Sequence, residues 1–174
     1  MERRNIVLVG FMGCGKTTIG KKLAKALEYT FTDMDDEIVK KAGMPITEIF
    51  EKYGEAYFRS METELCGEMS ERGGCVIATG GGVIKNEKNM ELLKQNGTVL
   101  YIKASPEHIY KNIRNDRSRP LLNTGDKMER IKTLMEERRP MYESRSDITA
   151  DITGMTSREA TNKIISILKE ESII

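Results

Sequence analysis

The chain has almost no net charge. Its 174 residues carry 28 Lys and Arg against 27 Asp and Glu, a formal charge of +1, so no long-range field gathers nucleic acid or an anionic membrane. Any anion has to be bound locally, and the arginines that cluster at Arg114, Arg117 and Arg119 and at Arg138, Arg139 and Arg145 are where such contacts are sought, unless they are solvated helix faces. Cysteine is scarce and odd in number. Cys14, Cys66 and Cys75 form no CxxC pair and no zinc spacing, which fits reduced thiols in the cytosol better than a disulfide framework. Long apolar runs are missing too: none approaches the roughly 18 residues that span a bilayer. The start, Met1 to Arg4 and then Ile6 to Val9, is too short for a secretory signal, and Gly13-Cys14-Gly15-Lys16 interrupts it with no small-residue cleavage site behind. A cytoplasmic protein without nucleic-acid or membrane partners is expected.

Repeats and low-complexity stretches are absent, and only 4 prolines break a composition that is 39% hydrophobic and 32% charged, as in ordinary globular proteins. The length suits one compact domain over 1–174, with no room for a second substrate domain. The single histidine, His108, falls in the first turn of an expected helix, where an exposed surface position needs no acid–base role. The eleven methionines suit core filling and lid adaptability better than a cofactor box.

What is present alternates. Ile6-Val7-Leu8-Val9 is a continuous apolar run ending in glycine, as expected of a strand buried on both faces of a parallel sheet. From Lys16 to Glu28 the period becomes helical, with Ile19, Leu23 and Leu27 on one face. Further strands are expected at Tyr29 to Thr32, Cys75 to Thr79, Thr98 to Ile102 and Asp147 to Ile152, with helices between, which implies βα units and an α/β fold whose parallel sheet is covered on both sides. Helix starts are marked by Ser105-Pro106, Asp126…Glu129 and Thr156…Glu159. The aperiodic segment within about 112–126 is long enough for a lid, although a surface connection has the same composition.

Gly10-Phe11-Met12-Gly13-Cys14-Gly15-Lys16-Thr17 matches G-x-x-x-x-G-K-[ST] after a buried strand and at a helix N-terminus, where the mechanism of a phosphate loop requires it. Backbone N–H groups of Gly13, Cys14 and Gly15 would turn toward the phosphates, Lys16 would reach the β and γ phosphates, the Thr17 hydroxyl would ligate Mg²⁺, and Thr18 adds a hydroxyl nearby. No Asn-Lys-x-Asp segment for guanine is present. Cys14 lies where electropositive surroundings could favour its thiolate, although a contribution through its backbone rather than its sulfur is the expected one. On the acceptor side, Asp33-Met34-Asp35 follows the second strand, and an extended path would put both carboxylates on one side. One could hold metal-bound water and the other accept a hydroxyl proton, while Asp33 could instead cap the next helix. Gly80-Gly81-Gly82 suggests close approach of backbone and ligand, or an ordinary turn. Arg59 lies in an acidic amphipathic stretch, Glu55 to Glu71, where pairing with Glu62 or Glu55 is the usual outcome.

Taken in order, Gly-Phe-Met-Gly-Cys-Gly-Lys-Thr-Thr at 10–18, Asp-Met-Asp at 33–35, Phe-Arg at 58–59, Ala-Thr-Gly-Gly-Gly at 78–82, Arg-Pro-Leu-Leu at 119–122 and Glu-Arg-Arg-Pro-Met-Tyr at 137–142 resemble the motifs of the shikimate kinase family over nearly the whole chain. The resemblance implies a three-layer αβα P-loop kinase with a five-stranded parallel sheet of order 2-3-1-4-5, helical cover and lid. It implies transfer of the γ-phosphoryl of MgATP to the 3-hydroxyl of shikimate, in chorismate and aromatic amino acid biosynthesis, with one Mg²⁺ per subunit, ATP as co-substrate and a monomer as the working unit. By similarity, Lys16, Asp35 and Arg119 are catalytic, Asp35 being the base. Arg59 and Arg138 grip the shikimate carboxylate, Gly80, Gly81 and Gly82 meet the substrate through backbone, Thr17 ligates Mg²⁺ directly and Asp33 through water, and Arg119 swings toward the phosphates from the lid. An adenine contact after the last strand is not assigned, because Asp151-Ile152-Thr153-Gly154-Met155 departs from the family pattern there.

Overall fold

The structure, a computed structural model, describes residues 3–117 and 120–174. Five parallel strands, β1 (Asn5–Val9), β2 (Thr30–Asp33), β3 (Cys75–Ala78), β4 (Gly97–Lys103) and β5 (Ile148–Asp151), form one sheet in the order β2-β3-β1-β4-β5. Among the described residues seven α-helices connect and cover them: α1 (Lys16–Leu27), α2 (Met34–Ala42), α3 (Ile46–Ser70), α4 (Glu87–Gln95), α5 (Pro106–Ile113), α6 (Lys127–Arg145) and α7 (Ser157–Glu170). Among the described residues no helix is long and apolar enough to cross a membrane.

The apolar run of β1 is explained by its central place between β3 and β4. Alternate residues enter opposite layers, as the twofold period of a strand requires. Ile6 and Leu8 join Ile19 and Leu23 of α1 and Ile164 of α7. Val7 and Val9 join Ile38 of α2, Leu65 of α3 and Tyr142 of α6. All four strand residues are fully buried, and each such side chain contributes about 1.5–3 kcal/mol relative to exposure.

The three N-terminal signals named above hold: Ser105 accepts from His108 N–H, Asp126 from Glu129 N–H, and Thr156 and Glu159 form a reciprocal capping box. The extended path expected through Asp33-Met34-Asp35 stops at Asp33. There the chain turns into α2, because the Asp33 carboxylate caps the Asp35 and Asp36 amides, Met34 goes into the core, and three acids favour a helix's first turn. The stretch around Arg59 is the long second half of α3, separated from its first half at Gly54 (φ 83°, ψ 170°).

The carboxyl ends of β1, β2 and β3 therefore deliver, side by side, the phosphate loop, Asp33 and the Thr79–Gly82 turn. Thr79 binds the end of β3 to β1 by donating both its amide, at 3.1 Å, and its hydroxyl, at 2.9 Å, to the carbonyl of Leu8.

Candidate active site

The crevice at this edge of the sheet has a volume of about 1010 Å³. Gly13, Cys14, Gly15, Lys16, Thr17 and Thr18 line one bank, with Asp33, Asp35 and Gly81 opposite. The loop's curvature rests on Gly13 (φ 78°), where a Cβ would also strike the Ile113 side chain. Helix α1 begins at this loop with no side chain capping its first turn, so its amides and the positive end of its dipole face the crevice. The Lys16 ammonium lies over the loop, donating to the carbonyls of Gly10 at 2.6 Å and Phe11 at 3.2 Å. Cys14 is buried, and its sulfur packs where a Gly10 side chain would go.

Asp33 does two jobs. Oδ1 caps α2, while Oδ2 accepts from the Thr17 hydroxyl at 2.7 Å, joining the end of β2 to the phosphate loop. Asp35, in the first turn of α2, reaches the glycine turn: a Cβ on Gly80 would come within 2.8 Å of Asp35 Oδ1 and 3.2 Å of Glu62 Oε1. A Cβ on Gly82 would run into the Arg59 guanidinium, with Cζ at 2.8 Å. The glycine run is thus explained by what crowds it, two carboxylates and an arginine.

Arg59 pairs with both expected partners, Glu62 at 2.6 Å and Glu55 at 3.3 Å. Burial opposes its charge, but the bonds and charges of these glutamates outweigh that and hold its pKa above the ordinary value. Glu62 is itself buried, and burial pushes its carboxyl up against the pull of Arg59. Sequence reasoning treated Glu62 only as a partner; its burial, the signal of importance, is a tertiary property.

The adjacent arginines of α6 separate cleanly. Arg138 is buried, packs over the Phe11 ring at 5.6 Å and donates to the carbonyl of Gly81 at 3.4 Å. Arg139 faces solvent and pairs with Glu136. The structure thus brings Arg59 and Arg138 to the same three-glycine turn, beside Asp35.

The far end of the crevice is built from α5 and the loop after β5, with Lys111, Asn112, Ile152, Thr153, Gly154 and Met155 on its walls. The sequence assigned no ligand contact to this loop. Here Ser105 N–H donates to Thr153 Oγ1 at 3.0 Å, and Gly154 N–H to His108 Nδ1 at 3.2 Å. His108 is therefore half-buried on the crevice wall rather than an exposed surface residue. Asn112, one turn on, donates to the Gly13 carbonyl at 2.9 Å and so fastens α5 to the phosphate loop.

Of the segment expected as a lid, residues 112 and 113 belong to the end of α5, and Pro120–Leu122 forms a 3₁₀ turn. Leu122 is buried whereas Leu121 is exposed. Lys127 secures the segment's base by donating to the carbonyls of Ile113, Arg114 and Asp116. Arg119 lies outside the described residues.

Comparison with known proteins follows the same outline. The family model described as shikimate kinase matches residues 12–169. A shikimate kinase of Caldanaerobacter subterraneus subsp. tengcongensis is 46% identical over 162 residues, covering 93% of this chain and 94% of the relative. One from Caldicellulosiruptor bescii is 45% identical, covering 97% and 98%. The solved shikimate kinase from Acinetobacter baumannii in complex with shikimate superposes with a TM-score of 0.90 at 38% identity, covering 97% of this chain and 94% of that one. A gluconokinase from Sinorhizobium meliloti, at 15% identity and a TM-score of 0.59, shares the fold alone. Motif order, sheet order, relatives and solved structure agree: the chain belongs to the shikimate kinase family of ATP-using kinases.

Proposed function

We propose that this chain transfers the γ-phosphoryl group of MgATP to the 3-hydroxyl of shikimate, with the roles divided between the banks of the crevice. The observation that carries the reading is the meeting of Arg59, Arg138 and Asp35 at Gly80–Gly82, across from Lys16 and Thr17. Two guanidiniums beside one turn suit a carboxylate, which a planar fork binds bidentately. Asp35, between the turn and the phosphate loop, is placed to orient the acceptor hydroxyl and take its proton.

The cradle suits magnesium. Thr17 Oγ1 and Asp33 Oδ2 are hard oxygen donors at the foot of the loop, and among the described residues no cluster of three or more His, Cys, Asp or Glu would hold an ion by itself. That pattern matches an ion held by few protein oxygens together with substrate phosphates. When bound, Mg²⁺ neutralises charge on those phosphates; Thr17 would ligate it directly and Asp33 through water. Lys16 bears on the β and γ phosphates, Arg119 adds a second positive charge, and the loop amides support the remaining oxygens. The transition state is loose, so alignment and charge stabilisation carry the catalysis. The loop at 152–156, with α5, supplies a wall for the nucleotide's base. One crevice within one copy contains the described candidates, which supports a monomeric working unit, and three buried free thiols suit a reducing cytoplasm.

A coupled ADP-release assay over shikimate, gluconate and a nucleoside monophosphate tests the acceptor. Turnover with shikimate alone, accompanied by shikimate binding in calorimetry that Arg59→Ala and Arg138→Ala abolish, is the expected result. Turnover on gluconate or the nucleotide, or no heat with millimolar shikimate, would overturn the reading.

A further inference from the structure

Tyr142 lies one helical turn beyond Arg138 on α6, so the two side chains leave the same face of the helix. Both converge on one atom: the Gly81 carbonyl accepts from Arg138 NH1 at 3.4 Å and from the Tyr142 hydroxyl at 3.3 Å. The Tyr142 ring is 2% exposed and stacks on Tyr101 of β4, with centroids 4.9 Å apart and planes 11° from parallel. Tyr101 belongs to β4, which pairs with the central strand β1, so the hydroxyl is held at the end of a rigid arm. Burial pushes the phenol well above its ordinary pKa, against the pull of neighbouring Arg138, and it stays protonated, a donor, throughout the working range of pH.

We infer that Tyr142 is a positioning residue for the acceptor: by holding the Gly81 carbonyl, it sets the plane of the Gly81–Gly82 peptide and with it the direction of the Gly82 amide. The step follows from peptide geometry. Among the described residues no peptide bond is cis, and in a planar trans unit the N–H of one residue points opposite the C=O before it. Glycines lack a side chain to select a conformation, so a run of three needs an outside group to hold its orientation. Arg138 alone is a poor holder, because the same guanidinium is needed for the substrate carboxylate. A second donor keeps the peptide fixed while Arg138 engages the ligand. The hydroxyl acts on the acceptor through Gly81.

The inference rests on the assignment of Gly80–Gly82 and Arg138 to the acceptor, and the experiment separates the two. Tyr142→Phe removes one oxygen and leaves the stack on Tyr101. Loss of a single hydrogen bond predicts a shikimate KM and calorimetric Kd raised by about 3- to 10-fold. The ATP KM, kcat at saturation and Tm should remain near wild type, a split that a general loosening of the core would not give. Unchanged shikimate affinity in Tyr142→Phe, or equal rises in the KM of both substrates, overturns the positioning role. Arg138→Ala is measured in parallel. If it binds shikimate normally, the acceptor assignment fails and the inference falls with it; if only Arg138→Ala weakens binding, the role of Tyr142 alone is refuted.

Discussion

Replacing Glu62 by Gln should separate stability from substrate affinity. Glu62 keeps its size and loses its charge, at a site where the side chain is 2% exposed and 2.6 Å from the Arg59 guanidinium. Removing one member of a buried ion pair costs about 3–5 kcal/mol when the other charge is stranded, which at 2–4 °C per kcal/mol is a fall in Tm of about 6 °C or more. Two features argue for a much smaller change. Arg59 is 35% exposed and retains Glu55 at 3.3 Å, so it is not stranded. And burial raises the Glu62 pKa above its reference of 4.5 despite Arg59, with Asp35 and Glu55 adding repulsion, so the folded state holds this proton more tightly than the unfolded chain does. The sign follows: stability supplied by this group is complete below pH 4.5 and is lost as pH rises through the folded value, because the native state binds the proton more tightly. At pH 7 the Gln variant should therefore melt within about 2 °C of wild type, or above it, and its stability should fall less steeply with pH above 4.5. Arg59 meanwhile keeps only a neutral amide acceptor where it had a carboxylate, which aims it less firmly at the glycine turn, and the shikimate KM should rise about 10-fold, the scale of one charged hydrogen bond. Calorimetric melts between pH 4 and 8, with steady-state kinetics at pH 7, measure both. A Tm drop of about 6 °C or more would refute the reasoning, since the pair would then be a net source of stability.

Lys16→Ala should lower kcat by about 100-fold or more with the fold intact, read from turnover and circular dichroism; near-normal turnover would remove Lys16 from the mechanism. Gly82→Ala places a methyl against the Arg59 guanidinium and should raise the shikimate KM while sparing the ATP KM, which initial-rate kinetics with each substrate varied will show. Thr156→Ala breaks the capping box of α7 and should cost about 1 kcal/mol, a Tm loss of about 2–4 °C. Glu159 of the same box has its pKa lowered by the Thr156 bonds, so its contribution is complete above pH 4.5 and disappears as pH falls through the folded value; the gap between wild type and Thr156→Ala should narrow in melts taken below pH 4.5 without closing, because the Glu159 N–H bond to Thr156 Oγ1 does not titrate.

Periodicity made most of the fold legible. The continuous apolar run of β1 and the capping signals at Ser105, Asp126 and Thr156 each rest on local chemistry, and each stands where expected. The extended path through Asp33-Met34-Asp35 misled because a strand end and a helix start share those three residues; the alternative reading, Asp33 as the cap of the next helix, is the one the side-chain bond realises. Strand order came with the resemblance rather than from patterning, since pairing partners far apart in sequence leave no periodic mark. In the crevice, the phosphate loop and the glycine turn were readable because glycine is selected by crowding. The burial of Glu62, the support from Tyr142 and the crevice-facing side of His108 were not, because each depends on which distant element packs above it.

Strand β1 is enclosed on every side, flanked by strands on both edges and by apolar layers on both faces. Its amides should be among the slowest to exchange with solvent, opening only when the whole chain unfolds. Since the phosphate loop hangs from its end, nucleotide geometry is anchored to the global stability of the protein. Arg59, the proposed acceptor contact, sits instead on a helix interrupted at Gly54 and packed on the outer layer. Partial, sub-global openings should therefore reach the hydroxy-acid side first and leave the triphosphate side intact.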